Sequence, residues 1–165
     1  MKTSIKLALI LASSIAISAN ASISASNTEV TSFDVGGTVD PQCKVTNYSP
    51  ERSTSLDLTT TDAQTTASIS IWCNTGQGTA VTEYSSANNG YMVSSEGNQI
   101  AYRMDISGGI ASDLLLTSPQ TVNQTTGTGV NGSVQTRAVK IKPQVTGLEY
   151  AGTYTDTIAV TVSYN

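Results

Sequence analysis

Histidine is absent from this chain of 165 residues, and charged residues make up only 12% of it. The chain therefore lacks the usual general base, the usual activator of serine and cysteine nucleophiles, and the commonest metal ligand. Its acidic residues are scattered, and no pair of them has a spacing that assigns acid and base roles. We expect no enzymatic activity, no metal site and no cofactor.

A glycine-rich segment at residues 127–132, Gly-Thr-Gly-Val-Asn-Gly, fits the spacing of a dinucleotide-binding loop. Such a loop binds its ligand only between a hydrophobic strand and a helix whose N-terminus faces the pyrophosphate. Here polar residues precede the glycines and a strand-like segment follows them. We therefore interpret residues 117–132 as a long polar loop without a nucleotide site.

Long hydrophobic runs are missing as well. The apolar stretch at residues 7–17 has about 11 residues, whereas a membrane-spanning helix needs roughly 20. Two lysines precede this stretch and an Ala-Asn-Ala pattern at residues 19–21 follows it, which is typical of a secretory signal peptide. We predict a signal peptide at residues 1–21, with Ser22 as the first mature residue. A membrane anchor is the alternative.

Basic residues are few: the chain has eight, against twelve acidic residues, for a formal net charge of −4. Lys2 and Lys6 lie in the predicted signal peptide, which has no acidic residue, so the mature chain would carry a net charge of −6. No basic run or basic-aromatic patch follows Lys6, so the electrostatic footprint of a nucleic-acid-binding protein is missing. We expect no nucleic-acid partner and no membrane insertion.

The mature chain would have about 144 residues, enough for one ordinary domain with one core, and no linker divides it. Its two cysteines, Cys43 and Cys73, are an even number in a chain that we expect to be exported, and such cysteines usually form a disulfide. A redox or metal-binding pair is the alternative, but the two residues are far apart in the sequence and no histidine could assist them.

Residues that favour strands dominate the chain after the signal peptide. Thr, Ser, Val, Ile and Tyr are abundant, whereas Leu, Glu, Lys and Arg are sparse. Gly and Asn turn signals separate short alternating runs, and the two runs around Gly97 indicate a hairpin. Alternation predicts strands at residues 33–39, 67–74, 79–85, 91–94, 99–106, 135–145 and 157–164. About seven strands at this spacing are typical of a β-sandwich or barrel.

The first and last of these runs have the same kind of apolar face. Phe33, Val35, Gly37 and Val39 share one face of the first run, and Ile158, Val160, Val162 and Tyr164 share one face of the last. A sandwich that lacks its final strand exposes a groove of unpaired backbone groups, which a strand from another chain can fill. The two terminal runs therefore suggest an exchange of strands between subunits.

Two segments resemble known proteins. Residues 33–45, FDVGGTVDPQCKV, resemble the N-terminal region of chaperone-usher pilins, in which an alternating donor strand leads to a cysteine. Residues 151–164, AGTYTDTIAVTVSY, are similar to the C-terminus of the spore coat protein U family, which includes subunits of archaic chaperone-usher pili. The C-terminal match is the more specific one, and the middle of the chain carries no matching motif.

The resemblance implies an all-β fold, an incomplete immunoglobulin-like β-sandwich that is completed by donor-strand complementation. It places a donor-strand extension at residues 22–40 and the pilin sandwich domain at residues 41–165. The implied donor residues are Phe33, Val35, Gly37 and Val39, and the implied acceptor groove consists of Ile158, Val160, Val162 and Tyr164. The pair Cys43 and Cys73 would tie the first strand to the sheet.

The resemblance also implies a function and a set of partners. The chain would be a structural subunit of a pilus, secreted through the periplasm to the cell surface, where the fibre supports adhesion or biofilm formation. Its partners would be identical or related pilin subunits, a periplasmic chaperone and an outer-membrane usher. Two alternatives stay open: residues 33–39 could be this domain's own first strand, and the chain could be a single-domain tip adhesin or a secreted β-sandwich binding module.

Overall fold

The computed structural model describes residues 30–48, 56–128 and 134–164, so the predicted signal peptide lies outside the described residues. The chain divides after Thr38 into two units. Of the first unit, residues 30–38 are described, and they form neither a helix nor a strand. The described part of the second unit contains eleven strands: β1 (Cys43–Asn47), β2 (Gln64–Cys73), β3 (Thr79–Ser86), β4 (Tyr91–Ser94), β5 (Gln99–Ile106), β6 (Ala111–Leu114), β7 (Gln120–Thr125), β8 (Gly127–Thr128), β9 (Gln135–Pro143), β10 (Tyr154–Thr155) and β11 (Ile158–Ser163).

These strands form two sheets. The larger sheet has the order β1–β2–β9–β5–β4–β10, with β6 paired to β5 and β8 paired to β2. The smaller sheet has the order β11–β3–β7. The pair β2 and β8 is parallel, and the other described strand pairs are antiparallel. The last two strands therefore lie at the edges of different sheets, although only two residues separate them.

Alternating side chains build the core between the two sheets. Along β5 every second residue is buried, namely Ile100, Tyr102, Met104 and Ile106. From the smaller sheet, the fully buried Tyr84 joins the same apolar cluster. Successive side chains of a strand point to opposite faces, so one face of each sheet is covered by the other sheet. The predicted all-β class, with two sheets around one core, is confirmed.

The hairpin that the sequence predicts around Gly97 is confirmed. β4 and β5 are antiparallel, with Val93 opposite Gln99. In the turn, the backbone N–H of Gly97 donates to the carbonyl oxygen of Ser94 at 3.0 Å. Gly97 has a φ of 84°, a conformation that residues with a Cβ adopt only at a cost, so glycine suits this position.

The interpretation of residues 117–132 as a long loop is wrong for the part that the structure describes. Residues Gln120–Thr125 form β7, which pairs with β3 over six positions, and Gly127–Thr128 form β8. The sequence conceals β7 because its inward residue Gln124 is polar, although only 1% of it is exposed. The Gln124 side-chain Nε2 donates a hydrogen bond of 2.7 Å to the hydroxyl of Tyr84, which gives this buried amide nitrogen a partner inside the core.

The first strand also differs from expectation. Residues 33–39 form no strand in this chain, and the first strand of the sandwich is β1. The alternative that residues 33–39 are the domain's own first strand is therefore wrong. In β1, Cys43 lies opposite Cys73 of β2, and the two form a disulfide. The predicted pairing of the cysteines is confirmed.

Candidate functional site

β11 is an edge strand of the smaller sheet. It pairs with β3 over six positions, from Ile158 opposite Ser86 to Ser163 opposite Val81. In the part of the chain that the structure describes, no strand pairs with the other edge of β11. A free strand edge presents a row of N–H and C=O groups that a strand from another chain can pair with.

The inward side chains of β11 are only half-buried. Ile158, Val160 and Val162 pack partly against the core, whereas the residues between them are exposed. The inward side chains of β5, in the middle of the larger sheet, are fully buried instead. This contrast shows that the core side chains are covered less completely at β11 than in the middle of the larger sheet.

A cleft of about 630 Å³ opens at this place. Its apolar lining is made of core side chains together with two residues that precede β2, and it includes Leu56, Leu58, Ile69, Tyr84, Met92, Ile141, Ile158 and Val160. Sites that enclose small molecules in proteins usually measure about 300–1,000 Å³, so the cleft can hold several side chains of an incoming segment. The core side chains in its wall are at most 5% exposed, whereas Leu56, Leu58, Ile158 and Val160 are half-buried and leave part of their apolar surface open.

One carboxylate lies in the wall of this cleft, at the connection between β10 and β11. The Oδ2 atom of Asp156 accepts hydrogen bonds from the Tyr102 hydroxyl at 2.5 Å and from the Ser86 hydroxyl at 2.6 Å. Its Oδ1 atom accepts from the backbone N–H groups of Thr157 at 2.7 Å and of Asn88 at 3.1 Å. Burial of Tyr102, together with its bond to Asp156, raises the pKa of the Tyr102 hydroxyl well above its usual value.

The segment before β1 exposes large apolar side chains. The exposed fraction is 84% for Phe33, 85% for Val35 and 81% for Val39. At Gly37, no other atom lies within 4 Å of the position that a Cβ would take. Side chains with this exposure are part of no core among the described residues.

The start of the sandwich is fixed just after this segment. The side chain of Asn74 donates a hydrogen bond of 2.8 Å to the carbonyl oxygen of Asp40 and accepts one of 2.6 Å from the N–H of Gln42. Asn74 follows Cys73 directly, so these bonds hold residues 40–42 next to the end of β2. Residues that continue from this point towards the N-terminus are the ones that the sequence proposes as a donor strand.

Two of the four predicted acceptor residues line the cleft, namely Ile158 and Val160. Val162 packs against the core further along β11, and Tyr164, which is 49% exposed, lies beyond the end of that strand. The sequence reasoning missed Tyr102 and Asp156. For Asp156 a weak signal was present, because it is the single acidic residue directly before the last alternating run.

Away from the cleft, Lys142 forms ion pairs with two aspartates. The Nζ atom of Lys142 lies 2.8 Å from the carboxylate of Asp105 and 2.9 Å from that of Asp113. Within residues 30–48, 56–128 and 134–164, no three side chains of His, Cys, Asp or Glu come together in a way that could hold a metal ion. A search of the same residues finds no helix with the length and apolar character needed to cross a membrane.

Comparison with known proteins finds no matching protein-family profile and no matching curated protein. Among solved structures, the chain is similar to a chain in the crystal structure of the CsuC–CsuE chaperone–tip adhesion subunit pre-assembly complex from archaic chaperone-usher Csu pili of Acinetobacter baumannii. The sequence identity is 20% and the TM-score is 0.49. The similarity covers 77% of this chain and 41% of that chain, so it spans less than half of the other chain's length.

Proposed function

We propose that this chain is a structural subunit of a bacterial surface fibre, a pilus, and that it polymerises by donating residues 33–39 to a neighbouring copy. The observation that carries the proposal is the cleft of about 630 Å³ beside β11, whose inward side chains are half-buried. A strand inserted there would pair with the free edge of β11 and extend the smaller sheet. It would also cover the half-buried apolar side chains of the cleft, Leu56, Leu58, Ile158 and Val160.

The donated segment has the side-chain pattern that this insertion needs. In an extended strand, Phe33, Val35, Gly37 and Val39 share one face, and the residues between them share the other. The first face would enter the cleft, while Asp34 and Thr38 would stay in contact with water. Gly37 interrupts the row of large side chains and suits a place where the two backbones approach closely.

The energetics of insertion depend on all the large side chains together. Burying Phe33, Val35 and Val39 would contribute about 1.5–3 kcal/mol each, and each backbone hydrogen bond of the new ladder about 0.5–1.5 kcal/mol. Association costs an estimated 4–15 kcal/mol, which is of the same order. The loss of a single large side chain from the donated segment should therefore weaken assembly strongly.

The proposal includes partners that act before assembly. An uncovered cleft and a free strand edge invite aggregation, so a newly exported subunit needs a protein that covers them. We propose a periplasmic chaperone for this step, an outer-membrane usher for assembly at the cell surface, and identical or related pilin subunits in the fibre. Export by the signal peptide at residues 1–21, and membership in the spore coat protein U family, belong to the same proposal. The fibre would support adhesion or biofilm formation.

The test compares the exported chain with a version that lacks residues 22–39, each produced together with its chaperone and usher. We expect SDS-resistant ladders or fibres from the intact chain, because only this version can donate a strand. The truncated version should stay folded and disulfide-bonded, but monomeric or bound to the chaperone. Ladders from the truncated version, or only soluble monomer from the intact chain, would contradict the proposed function.

A further inference from the structure

The connection between β10 and β11 consists of two residues, Asp156 and Thr157. Within these two residues the chain leaves the edge of the larger sheet and joins the edge of the smaller sheet. The position of β11, and therefore of its free edge, depends on how this short connection is held. The side chain that holds it is that of Asp156.

The Asp156 carboxylate bonds to both sheets through one oxygen atom. Tyr102 belongs to β5 of the larger sheet, and Ser86 is the last residue of β3 in the smaller sheet. Both hydroxyls donate to Oδ2, at 2.5 Å and 2.6 Å. Only 2% of Tyr102 is exposed, so little water competes for its bond, and hydrogen bonds to a charged acceptor are stronger than those between neutral groups.

The backbone around Asp156 is bonded to the turn that follows β3. The Oδ1 atom of Asp156 accepts from the N–H of Asn88, and the Asn88 side chain donates to the carbonyl oxygen of Thr155 at 3.3 Å. The N–H of Ala87 donates to the carbonyl oxygen of Thr157 at 2.9 Å. These bonds lie directly next to the first pair of the ladder between β3 and β11, in which Ile158 lies opposite Ser86. They therefore fix the register of that ladder.

We propose that Asp156 is the positioning residue of the cleft: its carboxylate holds β11 in place while the cleft is empty, so that the free edge is already formed when a strand arrives. The proposal rests on the proposed function. Among the described strands β11 has a ladder on one side only, with β3, and its inward side chains are half-buried, so the bonds of Asp156 at its start help to fix its position. A donated strand supplies a second ladder and further burial, after which the carboxylate matters less.

A positioning role and a purely structural role predict different results. A residue that only stabilises the fold lowers the stability of empty and filled subunits alike and leaves the affinity for a donor strand unchanged. A residue that preforms the free edge lowers that affinity when it is removed, because only part of the empty population is then competent to bind. The affinity of the folded subunit for a donor peptide is therefore the deciding measurement.

The experiment uses the full exported chain with the substitution Phe33→Asp, so that it cannot act as its own donor. A labelled synthetic peptide with the sequence of residues 30–42 serves as the probe, and fluorescence anisotropy measures its Kd. We expect Asp156→Asn to raise the Kd about tenfold. The matched control is Asp105→Asn. Asp105 lies in β5, outside the cleft, and its carboxylate is bonded to Lys142, so this substitution should change the Kd less than about twofold.

A second variant keeps the test decisive where Asp156→Asn does not fold. Tyr102→Phe retains the ring in the core and removes only the hydroxyl, so we expect a Kd increase of about threefold on its own. In the Asp156→Asn background it should cause a smaller change, since the first substitution has already weakened the same bond by removing the charge of its acceptor. Circular dichroism and an intact disulfide verify the fold of each variant.

The outcomes separate the two proposals. A peptide Kd that does not change on Asp156→Asn, or that does not change on Tyr102→Phe, would overturn the positioning role. Absence of peptide binding in the Phe33→Asp background itself would overturn the proposed function instead. Equal losses of affinity in Asp156→Asn and in the Asp105→Asn control would also contradict a specific role for Asp156.

Discussion

Cys43 and Cys73 lie opposite each other in the ladder of β1 and β2 and are joined by a disulfide, with their Cα atoms 4.1 Å apart. β1 is five residues long and forms one edge of the larger sheet. Its side chains are exposed or half-buried, and Val45 packs partly against the core. The disulfide therefore adds a covalent attachment to a strand that is otherwise held by its backbone ladder and by limited side-chain packing.

Removal of the disulfide should destabilise the subunit. The two cysteines are 30 residues apart in the sequence, and the chain-entropy estimate for a loop of this length is about 3–4 kcal/mol. We expect the double variant Cys43→Ser, Cys73→Ser to lose about that much free energy of unfolding in urea titrations. The unmodified chain with a reducing agent should give the same midpoint as the double variant. Equal midpoints for the oxidised chain and the variant would refute this prediction.

A charge on the inward face of the donated segment should abolish assembly without unfolding the subunit. Phe33→Asp would place a carboxylate where a large apolar side chain enters the cleft, and a buried unpaired charge is very unfavourable. We expect no SDS-resistant ladders from this variant, while its circular dichroism stays unchanged because Phe33 is exposed in the single chain. The matched control, Thr38→Asp, adds the same charge to the opposite face and should assemble normally. Loss of the fold in Phe33→Asp would contradict our assignment.

The same contrast should hold for the acceptor strand. Val160→Asp would place a charge in the cleft wall, and we expect it to stop peptide binding and fibre formation. Thr161→Lys changes the neighbouring residue, which points to the outer face and lies opposite Glu83 on β3, where a lysine is electrostatically favourable. Peptide titrations should show no binding for the first variant and near-normal affinity for the second. A Val160→Asp variant that binds the peptide normally would exclude β11 as the acceptor.

Alkaline solution should weaken the fold at the Tyr102 site. Burial raises the pKa of Tyr102, and likewise that of Tyr84, above the ordinary value of 10.0. Below pH 10 both the folded and the unfolded chain keep these protons, so the contribution to stability is complete. As the pH rises above about 10, the unfolded chain releases the protons first, so the free energy of unfolding falls.

Urea titrations at several pH values between about 8 and 11 measure this effect. Above pH 10 the free energy of unfolding should fall less steeply with pH for Tyr102→Phe than for the unmodified chain, because the substitution removes one of the buried hydroxyls that cause the fall. Tyr150→Phe, which removes the hydroxyl of an exposed tyrosine, is the matched control. An unchanged slope in Tyr102→Phe would mean that this hydroxyl does not govern the alkaline transition.

Strands with one apolar and one polar face were predictable from the sequence. β4 and β5 have the predicted bounds, and β11 lies within the predicted run, because alternation marks the side that is buried. β7 could not be predicted in this way, since its inward residue Gln124 is polar and donates a hydrogen bond to Tyr84, a residue 40 positions away. β1 could not be predicted either, because it is short and mostly polar. The sequence indicated only that Cys43 would pair with Cys73.

The site was predictable only in part, for a similar reason. Ile158 and Val160 belong to an alternating run at the C-terminal end, so their role as an edge could be proposed from the sequence. The bond between Tyr102 and Asp156 joins residues 54 positions apart, and no local pattern indicates it. Side-chain bonds between sheets depend on how the sheets pack, which alternation within one strand does not determine.

Among the described residues that line the cleft, Asp156 alone carries a charge, and its two oxygens already accept four hydrogen bonds from the same subunit. Contacts made inside the cleft would then be apolar or between backbone groups, and mobile ions screen neither kind appreciably. Joined subunits should stay together in dilute and in concentrated sodium chloride alike. Guanidinium, which solvates apolar and peptide groups, should separate them.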